Sequence, residues 1–257
     1  SPETIRWMEE HGIAVESFQR DRYYFRQLKD LKSYQDAQLC RPFVPELFPG
    51  YDTYIWCDAD IWVQDISSLR LYRDAVLNDP LHISISPLID TAYQFYYQDS
   101  CEFSRYNQIW FSEAYGSDVA RDYSARTIFS SGVFAMQATN PIWNAWGKEV
   151  NAVFQRRYSS HVVRHVAEQV ALNYLIYAFN KYTPLEAIHN YNCHIGCAVR
   201  RNGRVVLNTF PFREIGIVHL TMSGQKMNEY IDNGLLYQEG KYLSADELKK
   251  LATVAHY

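Results

Sequence analysis

Short apolar runs that alternate with longer helical patterns are the feature that most limits how this chain can fold. Residues 53–57, 81–87 and 128–137 are rich in the apolar, β-branched and aromatic residues that favour strands. Residues 141–158 and 166–181 place apolar side chains at the three- and four-residue spacing of a helix. Strands and helices in this alternation predict an α/β fold, in which helices cover a sheet.

Proline and glycine positions predict the elements at the amino-terminal end. Pro2 suits the first position of a helix, and Gly12 suits the stop that follows it. We expect a strand over residues 13–18 and a helix over residues 23–43, which leads through Pro45 and Pro49 into the strand at residues 53–57.

Turn and cap signals predict the carboxyl-terminal elements. Asn202-Gly203 within residues 197–208 is a two-residue hairpin signal, and residues 215–220 predict a late strand. The spacing of Ser244 and Glu247 matches a capping box, which predicts a final helix. No repeat, low-complexity tract or linker divides the sequence, so we expect one domain over residues 1–257.

The composition is that of an ordinary globular protein and excludes several classes of partner. The formal net charge is −4, and the basic residues between positions 20 and 32 alternate with acidic ones, so nucleic acid is not expected to bind. The apolar run at residues 170–179 is interrupted by Asn173 and falls short of the ~20 residues that span a membrane. We therefore expect a buried helix there and no membrane span.

The cysteines and the amino terminus favour a cytoplasmic protein. Five cysteines are an odd number and are spread thinly, which fits reduced thiols better than a disulfide framework. No basic stretch followed by an apolar one opens the sequence, so no secretory signal is expected. His189, Cys193, His194 and Cys197 could form a zinc site, but structural zinc usually takes two separated pairs of ligands.

The candidate chemistry lies in Asp58-Ala59-Asp60, which directly follows the predicted strand at residues 53–57. Ligands of open α/β sheets bind beyond the carboxyl ends of strands, and two carboxylates there can hold a hard divalent cation such as Mn²⁺ or Mg²⁺. Such a cation can neutralise a departing diphosphate. The alternative is a solvated turn in which the two aspartates only favour the turn conformation.

A phosphatase of the haloacid dehalogenase type also places Asp-x-Asp after an apolar strand and would use an aspartyl-phosphate. Here Ile61-Trp62 follows the pair, and no Gly-Asp-x-x-x-Asp metal motif follows downstream. Both features favour the metal and diphosphate interpretation over the phosphatase.

Four segments resemble glycosyltransferase family 8, whose members have the GT-A fold. The strongest is Arg41-Pro-Phe-Val-Pro45 followed by the strand and Asp58-Ala-Asp60. Ser130-Ser131-Gly132-Val133 is similar to the family's Asn-x-Gly-Val element. Glu168-Gln169-Val-Ala-Leu-Asn173 is similar to its Asp-Gln-x-x-Leu-Asn motif, with Glu in place of Asp. Val218-His219, followed by Gly224 and Lys226, is similar to the end of the family's core, although the spacing is wider and the usual Pro-Trp is absent.

The resemblance implies a role for each matched residue. Asp58, Asp60 and His219 would be the metal ligands, and Gln169 and Glu168 would lie at the anomeric carbon and the sugar hydroxyls. The donor would also contact the following residues: Arg41, Asp58, Ser131, Gly132 and Lys226. The family's first β-α-β unit, which holds the nucleotide base, has no counterpart before Ile5. The expected fold is therefore GT-A-like without that unit, either because the sequence is truncated there or because the protein departs from the family.

The function implied is transfer of a hexose from a nucleoside diphosphate sugar, UDP-linked by resemblance, to a sugar or other hydroxyl acceptor. Retention of configuration is implied, with Gln169 stabilising the oxocarbenium-like sugar; inversion would need a base, for which Glu168 is the first candidate. A catalytically silent sugar-nucleotide-binding or scaffold domain is the alternative from another class, because a fold alone does not fix a function.

Three of the matched residues can also be interpreted as structural rather than functional. Arg41 could be an ion-pair partner, His219 a hydrogen-bonded core histidine, and Gln169 a residue of a helix surface. Tyr93 and the aromatic residues at positions 95–97 follow a predicted strand end, where they could stack on an acceptor sugar or simply pack in the core.

Overall fold

The structure is a computed structural model that describes residues 2–23, 25, 33–93, 100–156, 161–193, 195, 198–220, 237–238 and 241–242. The helices in these ranges are α1 Pro2–Glu10, α2 Ser33–Cys40, α3 Val44–Leu47, α4 Ile66–Asn78, α5 Ser100–Tyr115, α6 Ser117–Tyr123, α7 Ile142–Gln155 and α8 His161–Phe179. Short 3-10 helices span Arg20–Arg22, Arg41–Phe43 and Ala187–His189.

The strands in the same ranges are β1 Thr53–Cys57, β2 Ile61–Val63, β3 Ile83–Pro87, β4 Phe129–Gln137, β5 Tyr182–Pro184, β6 Tyr191–Asn192, β7 Ala198–Arg201, β8 Arg204–Leu207, β9 Ile217–His219, β10 Tyr237–Gln238 and β11 Lys241–Tyr242. Four of them form a mixed sheet in the order β1-β4-β3-β5. Strand β4 is antiparallel to both neighbours, and β3 is parallel to β5. A smaller mixed sheet has the order β2-β9-β6.

Strand β4 is the centre of the fold, because both of its faces are covered by helices. Phe134 and Met136 belong to the main core, to which α7 and α8 contribute side chains such as Trp146 and Leu172. Val133 and Ala135 point to the other face and belong to a second cluster that includes Tyr72 and Val76 of α4. Burial on both faces explains why residues 133–136 of β4 are all apolar rather than alternating with polar residues. The mixed α/β architecture predicted from the sequence is confirmed.

The chain passes from the larger sheet to the smaller one at Asp58–Asp60, between β1 and β2. The Asp58 N–H donates to the Gly132 carbonyl of β4 at 2.9 Å, and the Leu220 N–H donates to the Asp60 carbonyl at 2.9 Å. Ile61 of β2 is the register partner of His219 in β9. These pairings bring the carboxyl ends of β1 and β9 beside the first half of β4.

The predicted hairpin is confirmed as β7 and β8, which pair antiparallel around Asn202-Gly203. Both turn residues have positive φ, 51° and 76°, as a type I′ turn requires. The final helix predicted near Ser244 lies outside the described residues.

Two predictions near the amino terminus are wrong. Residues 13–18 form no strand, and most of their side chains are exposed, because a strand persists only where a neighbour satisfies its backbone groups. The helix expected over residues 23–43 is also wrong at its start, since Tyr23 and Phe25 lie in turns and α2 is described only from Ser33. The segment that contains α2 continues into the 3-10 helix Arg41–Phe43.

The described helices include none with both the length and the hydropathy needed to cross a membrane.

Candidate metal centre and its surroundings

Asp58, Asp60 and His219 come together at the strand ends, as the sequence predicted. One potential ligand atom from each lies within 4.8 Å of the other two. His219 Nε2 is 3.3 Å from Asp60 Oδ1 and 3.8 Å from Asp58 Oδ2. The imidazole is buried, with 5% of its surface exposed, whereas both carboxylates are partly accessible. Two carboxylates and one imidazole are a ligand set suited to Mn²⁺ and similar divalent cations, and the carboxylates remain open on the solvent side.

The two oxygens of Asp58 have different partners. Oδ1 accepts hydrogen bonds from Arg41 Nη2 at 2.5 Å and from Trp56 Nε1 at 2.7 Å. Oδ2 is the oxygen that faces His219. Because Oδ1 is fixed by two donors, the carboxylate is held in one orientation and its second oxygen is directed at the candidate metal position.

The other nitrogen of His219 contacts an amide that the sequence analysis did not identify. His219 Nδ1 lies 3.1 Å from Asn190 Oδ1, and both side chains are buried. An amide oxygen can only accept, so Nδ1 donates its hydrogen and Nε2 keeps its lone pair towards the carboxylates. This is the tautomer that a metal ligand through Nε2 needs.

Gly132 leaves the space that the His219 ring occupies. A Cβ atom at this position would overlap Cε1 of the ring, lie 2.8 Å from its Nδ1 and lie 3.1 Å from Asp58 Oδ2. The resemblance placed Gly132 beside the donor sugar. The structure places it against two of the metal-ligand candidates, and the absence of a side chain there is a requirement of the site.

Arg41 links the metal-ligand candidates to the acidic residue of α8. Its Nη2 pairs with Asp58, and its Nη1 pairs with Glu168 Oε2 and donates to Ser131 Oγ at 2.9 Å. The guanidinium also lies over the Trp56 ring, 5.5 Å from its centroid. Arg41 is therefore an ion-pair partner in this structure, at the border of the predicted donor site.

Glu168 and Gln169 both contact Ser131, so α8 and β4 together form this side of the site. Ser131 Oγ donates to Glu168 Oε2 at 3.1 Å, and the Ser131 N–H donates to Gln169 Oε1 at 3.3 Å. Asn173 fixes the register, because its amide bonds both backbone groups of Phe129 at 2.7 and 2.9 Å. The Glu-Gln-x-x-x-Asn spacing thus positions α8 as well as presenting polar groups.

Burial strongly affects the carboxyl group of Glu168. It is 4% exposed, and this desolvation raises its pKa to about 7, although the charge of Arg41 acts in the opposite direction. Glu168 Oε1 and Arg41 Nε have no hydrogen-bond partner among the described residues. Buried acceptors and donors of this kind usually have partners, so these two atoms are unsatisfied polar groups next to the candidate metal centre.

Other residues from the sequence analysis lie elsewhere. Lys226 and Gly224 are outside the described residues. Tyr93 is buried, stacks on Tyr191 at 4.9 Å and offers no exposed face to an acceptor, so that alternative is wrong for Tyr93, while positions 95–97 are not described. In the suggested zinc segment, His189 Nδ1 bonds Ser68 Oγ at 2.9 Å. His194 and Cys197 of that segment are not described.

Cys40, Cys57 and Cys193 form no disulfide bond. The side chains of the other two cysteines are not described. Burial raises the pKa of the Cys40 thiol to about 11, so Cys40 is not an activated nucleophile.

Comparisons with protein-family models, with curated proteins and with solved structures find no match to this chain. The site is therefore interpreted from its own geometry.

Proposed function

We propose that the chain is a GT-A-like glycosyltransferase core that transfers a hexose from a nucleoside diphosphate sugar, UDP-linked, to a hydroxyl acceptor. The observation that carries the proposal is the Asp58, Asp60 and His219 cluster directly beside the Arg41, Ser131 and Glu168 network. A cation site next to buried groups that can bind hydroxyls is the arrangement that a sugar diphosphate donor needs. The family resemblance of the same residues supports this choice.

Asp58, Asp60 and His219 would hold Mn²⁺ or Mg²⁺, which neutralises charge on the departing diphosphate when bound. The ligand set fits such an ion, because the Asp58 carboxylate and the His219 ring already have the orientation that coordination requires. The carboxylates of Asp58 and Asp60 are partly exposed, so phosphate oxygens can approach the ion position from the solvent.

Glu168 and Arg41 would bind the sugar. Glu168 Oε1 would accept a hydroxyl hydrogen and Arg41 Nε would donate to a hydroxyl oxygen once donor binding exposes these two atoms, which are buried in this structure. Gln169 carries no charge and is held by Ser131, so its role is to position the reacting sugar rather than to remove a proton. We therefore propose retention of configuration. Inversion would require Glu168 to act as the base, and NMR of the product anomer separates the two outcomes.

The test is turnover of a panel of UDP-sugars with Mn²⁺, measured as release of UDP. We expect slow hydrolysis or transfer with at least one sugar, reduced about 100-fold or more in Asp60→Asn because the variant loses a metal ligand. The matched control is Asp118→Asn, which changes an exposed aspartate far from Asp60 in the sequence. This variant should keep full activity. No turnover by the wild type would favour a silent binding domain, and turnover of p-nitrophenyl phosphate would favour the phosphatase.

A further inference from the structure

We propose that Asn190 is a positioning residue that presents Nε2 of His219 to the metal ion. This inference rests on the proposed metal site at Asp58, Asp60 and His219. Asn190 is fully buried, and its Oδ1 lies 3.1 Å from His219 Nδ1. Its Nδ2 has no hydrogen-bond partner among the described residues. Among the described residues, this completely buried side-chain amide therefore makes its hydrogen bond to His219.

The chemistry of neutral imidazole makes this contact decisive for coordination. Only one ring nitrogen carries hydrogen, and the other is the ligand. With Asn190 Oδ1 as acceptor, the hydrogen stays on Nδ1. Without it, the hydrogen can move to Nε2 and be donated to Asp60 Oδ1, which is 3.3 Å away. That tautomer closes the position at which the metal binds.

The backbone around Asn190 holds the amide in place. Its N–H donates to the Ala187 carbonyl at 2.9 Å, and its carbonyl accepts from the Tyr93 hydroxyl at 3.4 Å. The same hydroxyl accepts from the Asn192 N–H at 2.9 Å. On the other side, Gly132 lies against the His219 ring. The ring is therefore confined by Asn190 at one nitrogen and by the two carboxylates at the other.

The experiment measures Mn²⁺ affinity by electron paramagnetic resonance of the free ion, with no nucleotide present. Asn190→Leu should weaken Mn²⁺ binding by about 10- to 100-fold, the usual effect of losing an outer hydrogen bond to a metal ligand. Asn190→Asp keeps an acceptor at the same place and should bind Mn²⁺ nearly as well as the wild type. Asn140→Leu also removes a buried amide, which contacts Ile142 and His82 instead, and should leave Mn²⁺ affinity unchanged.

A spectroscopic signature separates positioning from a general loss of structure. With Cu²⁺ in the site, electron spin echo modulation reports the ring nitrogen that is remote from the metal, and His219→Ala identifies its signal. We expect the remote-nitrogen quadrupole coupling to change in Asn190→Asp, because a carboxylate is a stronger acceptor than an amide. This measurement decides the matter even if Asn190→Leu does not fold.

The outcomes distinguish this inference from the proposed function. Wild-type Mn²⁺ affinity retained in Asn190→Leu, or an unchanged remote-nitrogen coupling in Asn190→Asp, would overturn the role of Asn190 alone. Failure of the wild type to bind Mn²⁺ would overturn both this role and the proposed metal site.

Discussion

Gly132 is a residue at which a single methyl group should disturb the metal-ligand candidates. In Gly132→Ala the new Cβ would meet the His219 ring and lie 3.1 Å from Asp58 Oδ2, so the ring must move away from its place between Asn190 and the carboxylates. We expect Mn²⁺ affinity to fall by about tenfold or more, as for other losses of ligand orientation.

Val133→Ala is the matched control for that substitution, because it lies next to Gly132 in β4 but faces α4. It should lower the free energy of unfolding by about 1–3 kcal/mol through the lost packing, and leave Mn²⁺ binding intact. Normal Mn²⁺ affinity in Gly132→Ala would show that the ring is not held as described.

Glu168 should give the protein a measurable pH dependence. Its pKa is raised from 4.5 to about 7 in the folded protein, mainly by burial. Between those values the folded state keeps a proton that the unfolded state has released, so the contribution of Glu168 to stability is greatest below pH 4.5 and is lost as the pH rises through 7. We expect the difference in free energy of unfolding between the wild type and Glu168→Gln to fall by about 1–3 kcal/mol from pH 5 to pH 8.

Urea unfolding of both proteins at four pH values measures this difference. A difference that rises with pH would mean that the ion pair with Arg41 outweighs the burial of Glu168. The same titration should affect the site, because only the ionised Glu168 pairs fully with Arg41.

The sequence predicted the metal-ligand candidates but not all of the residues that orient them. Asp58 and Asp60 form a local motif, and His219 is reached through the family resemblance. Asn190 carries no such signal, because an amide becomes informative only when folding brings it to within hydrogen-bond distance of His219, 29 residues away along the chain. For Arg41 the sequence left an ion pair and a donor contact open. The structure shows the ion pairs, and the donor contact stays a prediction.

Among the elements, the hairpin of β7 and β8 offers a test of the turn chemistry. Gly203 has φ of 76°, which a β-branched residue adopts only with strain. Gly203→Val should lower the free energy of unfolding by about 1–2 kcal/mol, whereas Asn202→Gly should have a smaller effect, because glycine tolerates positive φ. Chemical denaturation measures both changes. Equal stability of Gly203→Val and the wild type would contradict the turn assignment.

The elements that the sequence predicted best are those with strong apolar patterns and clear boundaries. Strand β4 begins at residue 129 against 128 expected, and α7 begins at residue 142 against 141. Strands β2 and β6 have only three and two residues, too few for a periodic pattern, so the second sheet was not predicted. The strand expected at residues 13–18 has the right residue types, but no strand in the described part of the chain pairs with its backbone.

At the scale of the whole molecule, metal binding should appear as stability. An ion that binds only the folded state adds about 2.7 kcal/mol at a concentration one hundred times its Kd, which corresponds to a Tm increase of roughly 5 °C or more for a chain of this size. Scanning calorimetry with Mn²⁺ and with EDTA measures the shift. Asp60→Asn should lose most of it and Asp118→Asn should not. An equal Tm increase in both variants would mean that the ion binds at another site.

The fold as a whole also bears on which donor the protein would bind. The proposed contacts concern the sugar and the diphosphate of that donor, whereas the UDP linkage comes from the family resemblance. The residues with a proposed role towards the metal and the sugar lie on β4, β9 and α8, in the 3-10 helix Arg41–Phe43 and in the turn between β1 and β2. Strand β1 forms one edge of the larger sheet among the described residues.

The most direct test of the central claim is calorimetric titration of UDP into the purified chain, with Mn²⁺ and with EDTA, repeated on Asp58→Asn. We predict binding that requires Mn²⁺ and is lost in the variant, because Asp58 Oδ2 would hold the ion that neutralises the diphosphate. Binding that is equal with EDTA, or no binding by the wild type in either condition, would contradict it.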